Sequence, residues 1–164
     1  MRGMNIQGSA RFSECGQYRY QLGRRWGSGA VLMFLMLNPS TADAERDDQT
    51  IKRCLGYAQR WGYGALCVGN LFAWRATDPR ELRRSDMDPV GQENDAAILE
   101  MAKRSKCVVA AWGDSGRLMG RGEKVRKLLS WHPNIRVLRF NKSGEPSHPL
   151  RLRKDLKPVK WSGA

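Results

Sequence analysis

Val31-Leu32-Met33-Phe34-Leu35-Met36-Leu37-Asn38-Pro39-Ser40-Thr41-Ala42-Asp43 is the stretch whose reading decides the fold. Seven apolar residues in a row predict one strand covered on both faces, as in a parallel sheet with helices above and below it. Asn38-Pro39 ends the run, because an Asn-Pro pair favours a turn. Ser40, Thr41 and Asp43 can all cap a helix, so a buried strand, a tight turn and a helix are expected in that order. In open α/β sheets ligands bind beyond the carboxyl ends of the strands. The turn at Asn38 is therefore either a site wall or an ordinary strand-to-helix connection.

On the C-terminal side, Asp47-Asp48-Gln49-Thr50 precedes a helical segment, Ile51 to Trp61, with Ile51, Leu55, Ala58 and Trp61 at helical spacing and Gly62 as its C-cap. A second strand, Ala65 to Gly69, ends at Asn70. Leu71 to Pro79 reads as a loop, Thr77-Asp78-Pro79 starts a short helix through Leu82, and Ser85 to Gly91 is another loop. A helix over Gln92 to Lys103, a third strand over Cys107 to Trp112 closed by Gly113-Asp114, a helix over Glu123 to Ser130 and a fourth strand over Ile135 to Phe140 follow. On the N-terminal side, partial alternation of apolar residues within Arg11 to Leu22 predicts a short hairpin at a sheet edge. Gly23 to Gly29, with Arg24, Arg25 and Trp26, reads as a basic turn that either tips the hairpin or touches phosphate.

Alternating strands and helices predict an α/β fold: a three-layer α/β/α sandwich around a mainly parallel four-stranded sheet. The 164 residues suit one domain, 1–164, with a hairpin extension over 1–30, a core over 31–152 and a basic tail over 153–164.

Lys and Arg number 29 against 16 Asp and Glu, a formal charge of +13 that favours a polyanionic partner, most simply nucleic acid. A merely basic soluble protein and one that binds anionic lipid are the competing readings. No apolar run reaches the roughly 18 residues of a membrane span, and no apolar segment follows the N-terminus as in a signal peptide, so a cytoplasmic protein is expected. Cys15, Cys54, Cys67 and Cys107 form no Cys-x-x-Cys pair and only two histidines are present, which argues against zinc. Cys67 and Cys107 sit in apolar runs as small core residues, and no disulfide, metal or other cofactor is expected.

Three of the four main strands end in a polar turn, at Asn38, Asn70 and Gly113-Asp114, and His148 lies beyond the fourth. Parallel neighbours would gather these groups on one rim, suited to a flat polar ring and a developing anion. These segments resemble the motifs of the uracil-DNA glycosylase superfamily. Leu37-Asn38-Pro39-Ser40-Thr41 is similar to its first motif, Gly-Gln-Asp-Pro-Tyr-His or Gly-Ile-Asn-Pro-Gly. Val68-Gly69-Asn70 with Trp74-Arg75-Ala76 resembles the strand whose terminal Asn reads the base. Ala111-Trp112-Gly113 resembles its third strand end, and His148-Pro149-Leu150-Arg151-Leu152 its final His-Pro-Ser-Pro-Leu. The Asn-Pro-Ser-Thr-Ala signature also resembles a broad group of uncharacterised bacterial and phage proteins.

The resemblance implies a uracil-DNA glycosylase-like fold and a metal-free monomer acting on DNA. Asn38 would position the hydrolytic water, being neutral and a poor base. His148 would stabilise negative charge on the departing base. Asn70 would read the base edge, its amide offering both donor and acceptor. Ser40 stands where the uracil-specific branch has a Tyr that blocks C5, which implies room for a C5-substituted pyrimidine. Modified phage cytosines, including glucosylated hydroxymethylcytosine, are then candidate substrates, and defence against phage a candidate role. Leu152 would fill the gap left by the flipped base, although Arg151 replaces a proline there. Phe72 and Trp74 are candidates for base stacking, and Arg24, Arg75, Arg117, Arg121 and Arg151 for DNA contacts. Two other classes compete. Asp43, Glu45, Asp47 and Asp48 would suit a metal-dependent nuclease, or simply an acidic helix start. The neutral Asn38 suits a non-catalytic nucleic-acid-binding module.

Overall fold

In the computed structural model, which describes residues 5–84 and 86–161, one mixed sheet carries three helices. The strands are β1 (Gln7–Phe12), β2 (Arg19–Arg25), β3 (Val31–Met36), β4 (Ala65–Asn70), β5 (Cys107–Ala110), β6 (Ile135–Val137) and β7 (Val159–Lys160). The helices are α1 (Gln49–Arg60), α2 (Asn94–Arg104) and α3 (Arg121–Leu128). The sheet order is β1-β2-β4-β3-β5-β6-β7.

Val31–Met36 is the central strand, with β4 and β5 parallel on either side. Its alternate residues serve two cores. Leu32, Phe34 and Met36 pack with Ile51, Leu55 and Ala58 of α1, and Met33 and Leu35 pack with Ala97, Ile98 and Met101 of α2 and Val125 of α3. Helices on both faces explain why the run has no polar residue. Cys54, Cys67 and Cys107 are buried in these layers and Cys15 is exposed.

The expected four strands are the parallel centre, β4-β3-β5-β6, of a seven-stranded sheet. Antiparallel strands extend both ends, β2 against β4 and β7 against β6. The N-terminal hairpin is thus part of the sheet, and its turn falls at residues 13–18. Gly23, Arg24 and Arg25, expected in a basic turn, are extended in β2, where they pair with Cys67, Leu66 and Ala65. The basic tail is tied down as well. Tyr57 Oη donates to the carbonyl of Arg153, Trp61 Nε1 donates to that of Leu156 at 3.1 Å, and Leu156 packs on the α1 layer.

The helix after Asn38 begins later than Ser40, Thr41 or Asp43 would place it. Asp48 is its N-cap, accepting from Ile51 N at 2.9 Å, while Asp43 accepts from Glu45 N and Arg46 N within the loop. A side chain bonded to its own neighbouring backbone stabilises a turn instead of a helix start. The expected loop at Ser85 to Gly91 begins on Ser85, which lies outside the described residues, as do residues 1–4 and 162–164 of the extension and tail.

Among the described residues, no helix is long and apolar enough to cross a membrane.

Candidate functional site

From β3 the chain moves to β4 on one side and then returns past β3 to β5 on the other. This reversal opens a crevice at the carboxyl ends of the strands, where ligands of open α/β sheets bind. A recess of about 360 Å³ lies there. Leu37, Asn38 and Ser40 line it from the loop after β3, and Asp48, Gln49 and Thr50 from the start of α1. Ala76, Thr77 and Pro79 come from the loop after β4, Trp112 from the end of β5, and His148 from the loop after β6.

Asn38 is half-buried and held by its amide nitrogen, which donates to Ala76 O at 2.8 Å and Pro39 O at 3.2 Å. Its Oδ1 accepts no hydrogen bond from the described residues. Backbone bonds from Leu71 N to Met36 O, Phe72 N to Leu37 O and Ala76 N to Pro39 O join the loops after β3 and β4 into one wall. Two arginines of β2 hold that wall from below. Arg19 Nη1 donates to Ala42 O at 3.1 Å, and Arg24 donates to Asp47 and to the carbonyls of Asp43 and Arg46. Arg19 is 2% exposed, and burial pulls its pKa down to about 10.

His148 opens the 3-10 turn Pro149–Arg151, its Nδ1 accepting from Leu150 N at 3.2 Å. In the neutral imidazole the proton is therefore on Nε2, a donor. Burial is the chief cause of a lowered pKa, opposed by the charge of Asp48 and reinforced by Arg151. A neutral imidazole donating from Nε2 can stabilise an anion in the recess without being charged itself.

Asn38, Ser40 and His148 are thus brought together, and several other predicted site residues are not. Asn70 is 2% exposed and does not line the recess. Its Oδ1 accepts from Arg19 Nη2 at 3.3 Å and its carbonyl accepts from Asn94 Nδ2, because β2 pairs beside β4 and presents a buried guanidinium there. Phe72 is fully buried in the α2 layer. Trp74 packs edge-on against Tyr18, ring centroids 5.4 Å apart. Among the described residues Trp112 is the one aromatic ring, histidine aside, that lines the recess. Its Nε1 donates to Glu145 Oε2 at 2.7 Å. Leu152 is 7% exposed and packs in the α1 layer, whereas Leu150 is 39% exposed beside His148.

The predicted phosphate contacts divide in the same way. Arg121 is buried, donating to Leu71 O at 3.0 Å and Asp95 Oδ1 at 2.9 Å. Arg24 is buried beneath the loop. Arg75 lies over the Phe12 ring and donates to Gly16 O, bracing the hairpin turn. Arg117 is exposed, bonded to Ser143 O and paired with Glu145. Arg151 is exposed, and with Arg139 and Leu150 it lines a second recess of about 390 Å³ that shares His148 with the first.

The four carboxylates of the nuclease reading diverge. Asp43 caps its own loop, Asp47 pairs with Arg24, Asp48 caps α1 and Glu45 is exposed. Among the described residues no three His, Cys, Asp or Glu side chains gather as metal ligands.

Fold and recess together define an α/β protein with a candidate ligand site at the switch point of a parallel sheet centre. The chain matches, over residues 19–150, the family of proteins of unknown function DUF1643, and it belongs to that family. No curated protein and no solved structure matches it.

Proposed function

We propose that the recess receives one nucleobase extruded from DNA and that the protein hydrolyses its N-glycosidic bond, leaving an abasic site on a uracil-DNA glycosylase-like scaffold. The supporting observation is the convergence of Asn38 and Ser40, from the loop after β3, and His148, from the loop after β6, on one recess of about 360 Å³. That volume is in the range of small-molecule sites. Cleavage puts cationic character on the sugar and negative charge on the base. The neutral Nε2–H of His148 is a donor for the base, and the open Oδ1 of Asn38 is an acceptor that positions water. Trp112 replaces Phe72 and Trp74 as the aromatic wall.

With Asn70 buried, the base edge is read by Gln49, Thr50 and Thr77 at the recess. Leu150, not Leu152, is the exposed apolar side chain placed to enter the gap in the stack, beside the Arg151 and Arg139 guanidiniums that meet phosphate. Ser40 leaves the wall open at a C5 substituent, so a modified pyrimidine is the favoured substrate and defence against phage with modified cytosine the corresponding role. The net charge of +13 supplies the attraction to DNA.

The test is base release from DNA carrying normal bases, uracil, hydroxymethylcytosine or glucosylated hydroxymethylcytosine, scored as abasic sites. Release from modified DNA that Asn38→Ala and His148→Ala abolish is expected. Binding without release, unchanged in both variants, would make the protein a binding module instead.

A further inference from the structure

We propose that Asp48 is a catalytic carboxylate of this recess, the group that takes the proton from the attacking water. The assignment rests on the glycosidase reading above and adds a residue to it. Asn38 lines the recess where the glycosidase reading puts the attacking water, but an amide cannot accept a proton near neutral pH. A hydrolysis with only Asn38 and His148 would lack a base. Asp48 lines the same recess as both of them.

Its orientation is fixed. Oδ1 accepts from Ile51 N at 2.9 Å, and Oδ2 accepts no hydrogen bond from the described residues. A carboxylate with one oxygen tied to a helix and the other open can hold a water in one place. Its charge also acts on both neighbouring titratable groups. It opposes the lowering of the His148 pKa by burial, and likewise that of the buried Arg19. Asp48 and the imidazole thus share one recess, and the Asp48 charge favours the protonated forms of His148 and Arg19 against burial. The other three acidic side chains of this segment do not line the recess.

The step balances without metal or co-reactant. The bond from the sugar C1′ to the base nitrogen breaks, and its electron pair leaves with the base. The water oxygen bonds to C1′, positioned by Asn38 Oδ1, and the water proton passes to Asp48 Oδ2. The departing base is held as an anion by His148 Nε2–H and takes its proton from solvent after release. Asp48 then returns its proton to solvent.

The competing role, a helix cap alone, predicts a different variant phenotype. Asn caps a helix as well as Asp. Asp48→Asn should therefore keep the unfolding midpoint and the Kd for DNA while lowering the single-turnover rate of base release by roughly 10²- to 10⁴-fold, the usual contribution of a general base. The probes are short duplexes carrying one uracil, hydroxymethylcytosine or glucosylated hydroxymethylcytosine. Asp48→Ser, another good cap that is not a base, serves if the Asn variant unfolds, and the same loss is expected from it. A folded variant releasing base within a few-fold of the wild-type rate overturns the Asp48 assignment and leaves the glycosidase reading standing. A wild-type protein that releases no base from any of these duplexes overturns both.

Discussion

Arg24 Nε donates to Asp47 Oδ1 at 2.9 Å from a side chain only 4% exposed, and its terminal nitrogens reach the carbonyls of Gly23, Asp43 and Arg46. One residue of the antiparallel hairpin thus fixes the loop that forms the wall of a recess at the other end of the sheet. Arg24→Met keeps most of the side-chain volume and removes every donor. Buried carbonyls without a partner cost about 1–3 kcal/mol each, and partial access to water lowers the total. The variant should lose about 2–4 kcal/mol of unfolding free energy in urea. A loss under about 1 kcal/mol would show that the loop is held by other contacts.

Arg121 and Arg151 look alike in sequence but should behave oppositely. Arg151→Ala removes an exposed charge beside His148, so the slope of log Kd for DNA against log salt should flatten by about 0.9 with no change in unfolding midpoint. Arg121→Ala removes a buried donor to Leu71 O and Asp95, so it should lower the midpoint and leave the salt slope unchanged. Binding titrations over a range of salt, beside thermal melts of both variants, check the pair. Equal slopes for Arg151→Ala and wild type would remove Arg151 from the DNA surface.

These contrasts mark where the amino-acid order is legible. Val31–Leu37 reads correctly because a strand buried on both faces is a local pattern, and the turn at Asn38 follows from the same pattern. Asn70 and Arg121 do not read correctly because their burial depends on long-range partners. Asn70 faces Arg19 only because β2 adds antiparallel to β4, a pairing no local pattern encodes. The 3-10 turn after His148 decides between Leu150 and Leu152, since it turns the first outward and the second into the α1 layer. Trp112 was visible as the end of an apolar strand, but its place beside Asn38 follows from β5 crossing to the far side of β3. Asp48 was visible as an acidic helix start. That a cap can also face a recess follows only from the position of α1.

Gly116 controls the Trp112 wall. A Cβ added there would lie 2.0 Å from Trp112 Cδ1, with Trp112 buried and held through its Nε1 by Glu145. Gly116→Ala must push the indole aside, at a cost of about 1–3 kcal/mol for overpacking. Base release should fall along with stability because the displaced ring lines the recess. Gly120→Ala is the control. Its φ of +65 disfavours a side chain, but nothing lies within 4 Å of the added carbon. It should lose about 1 kcal/mol and keep the rate. Equal rates for Gly116→Ala and wild type would show that Trp112 does not shape the bound base.

His148 should stay neutral to lower pH than a free imidazole. Burial is the largest influence on it and disfavours the charged form; Arg151 acts in the same direction and Asp48 against it. A second proton would have to sit on Nδ1, the atom that accepts Leu150 N–H, so protonation removes that bond as well. The unfolded chain takes this proton near pH 6.5 and the folded chain only at lower pH. The stability linked to His148 is therefore complete above about pH 6.5 and is lost as pH falls from there through the folded-state value. Base release that depends on the neutral donor should likewise hold level down to about pH 6.5 and decline only below it. The imidazole C2–H resonance of His148, assigned by its absence in His148→Gln, follows the titration directly. A midpoint at or above the free-imidazole value would mean that Asp48 outweighs burial, and the donor in the recess would then be an imidazolium instead of a neutral ring.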